Sequence, residues 1–128
     1  MAWACEDEDD GLALSALTML DQSTAVVPAI WELEVVNALV VAGRGNRITS
    51  GEISEFLANL ADLPIEGTHA VPTMAEMAEG CTLTGLTAYD YAYLHVALVE
   101  GLPLATLDRR LATAAAHVGV ALVTDENC

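Results

Sequence analysis

Along the 128 residues, apolar and polar positions alternate between two rhythms. Short β-branched runs closed by proline or aspartate read as buried strands, and longer segments with apolar residues three and four apart read as helices. Leu12 to Leu20 is helical in pattern, with Leu12, Leu17 and Leu20 facing inward. Ala25-Val26-Val27, stopped by Pro28, is a parallel strand. The segment that follows, Ala29 to Val41, is apolar on nearly every side, which predicts a helix buried all round. Thr49 with Glu52 opens a helix running to about Ala61, whose stripe is Ile53, Phe56, Leu57 and Leu60. Pro64-Ile65-Glu66 is an edge strand or extended linker, and Pro72 to about Cys81 is a further helix in which Met74 and Met77 fill core space.

The densest information lies between Leu86 and Leu111. Thr87 followed three residues later by Asp90 starts a helix, and Gly101 and Pro103 stop it about four turns on. Leu104 to Leu107 is a short strand, Asp108 starts the next helix, and Gly119 ends that helix ahead of a last strand from Val120 to Thr124. Strand and helix thus alternate, which predicts one α/β domain on a parallel sheet.

This pattern places chemistry at one edge. Asp108 lies where its strand ends, and the carboxyl edge of an open parallel sheet is where ligands bind. Asp90, in the first turn of its helix, reaches the same edge if its connection leaves the sheet there. Taken singly, each aspartate is explained by a cap, Asp90 as half of a capping box and Asp108 as an N-cap. Glu34 has no such excuse. It sits with Asn37 on one face of the apolar 29–41 helix, where an ionised carboxylate must be paired, protonated or metal-bound.

Charge narrows the options. Four arginines, no lysine and nineteen acids give −15, against a nucleic-acid surface held by a broad basic patch. A nucleic-acid substrate therefore requires divalent cations or a basic partner to offset the field. The acidic run Glu6 to Asp10 reads as a solvated loop, and the acids keep a chain that is 54% hydrophobic dispersed. Cys5, Cys81 and Cys128 are too scattered for a metal knuckle and fit reduced cytosolic thiols; His69, His95 and His117 lack ligand spacing. No run is long enough for a membrane span, and no signal peptide is read at the acidic start, so the expected location is cytoplasmic. The glycines form neither GxGxxG nor a P-loop, no GxSxG elbow occurs, and a phosphoacceptor receiver domain would need a lysine.

Two stretches, VPAIWELEVVNALV and LTAYDYAYLHVALVEGLPLATLDRRL, in this order and separation, resemble the bacterial PIN-domain ribonucleases that act as VapC toxins of type II toxin–antitoxin pairs. The resemblance spans nearly the whole chain. It implies a three-layer α/β/α domain with a short, mainly parallel sheet, RNA as substrate, Mg²⁺ or Mn²⁺ as cofactor, and a cognate antitoxin that places a basic side chain among the acids. By position it implies Glu34, Asp90 and Asp108 as catalytic and metal-binding acids, with Asn37 and Thr106 as supporting polar residues. Oxygen-only ligands suit those hard cations. A homodimer is expected from the high apolar content. The family pattern also has an opening strand with a metal-binding aspartate, ahead of a tryptophan that Trp3 matches; residues 1–128 are thus expected to be a single domain lacking that first strand and acid. The competing expectation is a degenerate, non-catalytic module that only binds a partner.

Overall fold

The computed structural model describes residues 2–3 and 24–123. The expected helix at Leu12 to Leu20, the acidic run Glu6 to Asp10 and Thr124 lie outside the described residues. The elements are strands β1 (Ala2–Trp3), β2 (Ala25–Val27), β3 (Ile65–Gly67) and β4 (Leu104–Ala105), with helices α1 (Ile30–Arg44), α2 (Ser50–Ala61), α3 (Met74–Thr84), α4 (Ala88–Glu100) and α5 (Arg109–His117). The sheet runs β3-β2-β1-β4 and every pair is parallel. Helices flank it in a three-layer α/β/α arrangement.

The opening strand was expected to precede Trp3. In the structure Ala2–Trp3 itself stands at the centre of the sheet, Ala2 opposite Val26 on one side and Leu104 on the other. The Ala2 amide donates to the Pro103 carbonyl at 2.9 Å. A gap here would leave backbone groups of β2 and β4 buried and unpaired, and two residues suffice to begin both ladders. Beyond β4 the expected last strand is, among the described residues, one parallel bridge, Leu104 to Leu122, framed by Leu104 N–H to Ala121 O at 2.8 Å and Val123 N–H to Leu104 O at 2.9 Å.

Helix starts follow the expected chemistry. At α2 the Thr49 hydroxyl accepts from the Glu52 amide (3.1 Å) while Glu52 Oε1 accepts from the Thr49 amide (3.0 Å). Thr73 and Glu76 repeat the closed box at α3, a start that the sequence reading placed at Pro72. Gly101 takes the left-handed conformation, φ 66°, that lets the chain leave α4 with little steric penalty and turn toward Pro103 and β4.

Burial differs from expectation in two places. The helix expected to be buried all round buries only Trp31 and Val35, an i, i+4 pair; Leu33 (69% exposed), Val36 and Val41 face outward. The physical reason is where the core lies. It forms over the sheet beneath α4, where Leu94, Val96, Leu104 and Leu111 are fully buried, and α1 contributes one edge to it. Likewise α2 buries no residue, its Phe56 and Leu57 standing exposed, and Met74 is 90% exposed rather than core filler because it is the first residue of α3. Helix α4 is the central helix: Tyr93 to Ala97 are buried in succession. Close approach of α3 to α4 depends on Gly80, where a Cβ would lie 2.0 Å from the Tyr91 ring.

Candidate acidic site at the sheet edge

Strand β4 ends at Ala105, two residues earlier than the sequence suggests, and Thr106-Leu107 carry the chain to Asp108. The Thr106 hydroxyl accepts from the Asp108 amide at 3.1 Å, which fixes the turn. Asp108 then caps α5: its Oδ1 accepts from the amides of Arg110 (2.8 Å) and Leu111 (3.1 Å). Both cap bonds land on one oxygen of the carboxylate.

Across from it, α4 opens at Thr87, whose hydroxyl accepts from the Asp90 amide at 3.2 Å. Unlike the two glutamate boxes, this one shows no return bond from the acid to the cap amide. Aspartate is one methylene shorter, so its carboxylate stays forward of the helix end. There the charge of Asp108 acts on it. Partial burial, followed by the charge of Asp108, holds the Asp90 carboxyl above its ordinary value of 3.8, with the Thr87 hydroxyl and the Arg110 guanidinium pulling the other way. Two like charges at one edge are the condition that a cation relieves.

Glu34 is placed differently. It is exposed, not the buried carboxylate expected from the apolar run around it, because the face that α1 turns to the core is the one carrying Trp31 and Val35. Its Oε1 accepts a short hydrogen bond from the Tyr93 hydroxyl. Tyr93 stands three residues after Asp90 on α4, so Glu34 is tied to the same helix about one turn, roughly 5 Å, further along. Asn37 is exposed one turn beyond Glu34 on α1, and the hydrogen bonds of the edge do not include it.

The structure thus couples Asp90 to Asp108 through charge and Asp108 to Thr106 through a hydrogen bond, and ties Glu34 to the helix of Asp90 through Tyr93. Among the described residues no group of three or more His, Cys, Asp or Glu side chains lies close enough to hold a metal ion. Two residues that sequence reasoning did not single out belong here. Tyr93 was legible as the i+3 neighbour of Asp90. Arg110, whose Nη2 donates to the Gly85 carbonyl at 3.0 Å and so ties α5 to the turn before α4, carries no local signal beyond following Asp108 by two positions.

This fold and this edge define a nuclease-type α/β/α domain. The PIN domain family model matches residues 1–117, so the chain belongs to the PIN domain family, whose members are generally nucleases that use divalent metal ions. Among solved structures the chain is similar to the crystal structure of PAE2754 from Pyrobaculum aerophilum, at 27% identity and a TM-score of 0.68, covering 80% of this chain and 76% of that one. No curated protein matches the chain. No helix among the described residues is long and apolar enough to cross a membrane.

Proposed function

We propose that the chain is a metal-dependent ribonuclease, a VapC-like toxin that hydrolyses RNA phosphodiester bonds, and that Asp90 and Asp108 hold a Mg²⁺ or Mn²⁺ ion while Glu34 borders it. The observation that carries this reading is the Asp90–Asp108 pair: the two acids stand at the starts of different helices, and partial burial together with the charge of Asp108 holds the Asp90 carboxyl above its ordinary value. Such a pair is costly as a purely structural feature and fits a hard dication, which needs only one or two protein carboxylates and keeps several waters. When bound, the ion supplies an acidified water and positive charge close to the reacting phosphate.

The remaining work falls to the chain. Asp108 is fixed by its cap bonds and by Thr106, so its outer oxygen is oriented before any ligand arrives. Asp90 is held at the edge by the Thr87 cap, and Tyr93 orients Glu34 toward the same helix. A cognate antitoxin delivering a basic side chain to these acids would satisfy the same charge demand as the metal, and the −15 net charge would speed its association. The same reading places the protein in the cytoplasm as a homodimer.

Purified protein is expected to cleave RNA in Mg²⁺ or Mn²⁺, stop in EDTA, and lose cleavage on Asp90→Asn with its fold intact. A mutant that cuts as well as wild type defeats the assignment. One observation favours the second reading, a partner-binding module without catalysis: among the described residues no three His, Cys, Asp or Glu side chains gather closely enough to hold an ion. That reading expects no metal-dependent cleavage from the folded protein.

A further inference from the structure

Helix α5 and the end of α3 enclose a groove of about 580 Å³ beside the acidic edge. Its lining includes Arg109, Arg110, Thr113 and His117 on α5, with Leu83 and Leu86 opposite. On a helix, Arg110, Thr113 and His117 follow at i, i+3 and i+7 and Arg109 with Thr113 at i, i+4, so one stripe carries all four. The groove begins next to the site, since Arg109 adjoins Asp108 and Leu86 adjoins the Thr87 cap. It runs the nine residues of α5, roughly 12 Å between its ends.

The charge distribution gives this groove its meaning. The chain has four arginines against nineteen acids, and two of the four are consecutive here. A polyanion approaching a molecule of net charge −15 is repelled on average, so its hold must come from a local concentration of cations. Arg110 is anchored by its bond to the Gly85 carbonyl, which keeps a guanidinium at the mouth nearest the acids. Arg109 is exposed, Thr113 offers a hydroxyl, and the leucines give an apolar wall. Arg44 instead ends α1, and Arg47 sits in the turn after it.

We propose that the α5 groove is the phosphate track of the substrate: it holds the backbone of a single-stranded RNA through Arg109 and Arg110, leading the strand to the Asp90–Asp108 edge. The inference rests on the ribonuclease reading and adds the residues that position the strand.

The test separates binding from chemistry. The full chain is titrated with a fluorescein-labelled, mixed-sequence single-stranded RNA in EDTA, and anisotropy is read across a range of salt from low ionic strength upward. Each of Arg109→Ala and Arg110→Ala is expected to weaken binding about threefold. Each should also reduce the slope of log affinity against log salt by about 0.7, the value for one contact on a single strand. Arg109→Lys should keep most of the affinity, and Arg44→Ala with Arg47→Ala, removing the same charge as the groove pair Arg109→Ala with Arg110→Ala, should change it far less than that pair does. The proposal is overturned if wild type shows no binding at low salt, if the groove variants bind with wild-type affinity and slope, or if the Arg44/Arg47 pair costs as much as the groove pair. Cleavage that persists in Asp90→Asn defeats the ribonuclease site instead, and is scored separately in Mg²⁺.

Discussion

Two helix starts in this chain carry nearly the same pattern and end in opposite states. At α3, Thr73-x-x-Glu76 closes a capping box in which the Thr73 amide donates to the Glu76 carboxylate, and that bond, then the Thr73 hydroxyl, holds Glu76 below its ordinary 4.5. At α4, Thr87-x-x-Asp90 stays half open, and burial with the charge of Asp108 holds Asp90 above its ordinary 3.8. One methylene separates a carboxylate that closes its own cap from one that does not bond its cap amide and feels the charge of a second acid. The acid that fails to complete its local motif is the one proposed for chemistry, as expected where functional sites leave local rules unsatisfied.

The comparison breaks most sharply by restoring the methylene. Asp90→Glu is expected to close the third capping box, raising the melting temperature slightly, while withdrawing the carboxylate from Asp108 and lowering RNA cleavage about 100-fold or more. Retained activity in that variant, assayed under single-turnover conditions, would show that the carboxylate position does not matter. Next in size is the contact that sets α3 against α4. Gly80→Ala puts a methyl into the Tyr91 ring and is expected to cost about 2 kcal/mol by denaturant titration.

Asp108 offers a smaller and more discriminating test. Asp108→Ala should lose about 1 kcal/mol with the cap, whereas Asp108→Asn keeps the cap and its stability. If the residue were only a cap, the asparagine variant would cut RNA as wild type does. On the ribonuclease reading it is folded and inactive.

The smallest effect is the pH response, where the two helix starts pull in opposite directions. The lowered Glu76 contributes stability that is fully present above 4.5 and fades as pH falls through its folded value. Asp90, raised, binds its proton more tightly folded than unfolded, so its contribution worsens as pH climbs from 3.8 through the raised value and stays unfavourable above it. Comparing Glu76→Gln and Asp90→Asn with wild type by thermal melts from acid to neutral pH, without metal, should flatten slopes of opposite sign. Slopes of the same sign would contradict the contrast.

Much of the architecture was legible because its signals are local. The closed caps at Thr49, the stop at Gly101, the strand at Ala25–Val27 and the cap at Asp108 each depend on residues within a turn of one another. Burial was less legible. An apolar run such as 29–41 says that a helix is hydrophobic, not which neighbours exist to cover it: only Trp31 and Val35 are buried, with Ile30 and Leu39 half-buried against the core. Glu34 was misjudged for that reason: its surroundings in sequence are apolar, but its side chain emerges beside the covered stripe and finds Tyr93, 59 residues away in sequence.

The sequence by itself determined that this is an alternating α/β chain, strongly acidic and poor in cations, with Asp90 and Asp108 each at the start of a helix, since capping patterns, hydrophobic period and charge all act over a few residues. Only the tertiary structure decided that the charge of Asp108 reaches Asp90, that Glu34 bonds a tyrosine on the helix of Asp90, that Ala2–Trp3 holds the centre of the sheet and that two of four arginines line one groove. Those facts depend on how α4 and α5 leave the sheet and pack together, and long-range packing is set by the summed fit of many weak contacts that no short window of sequence contains.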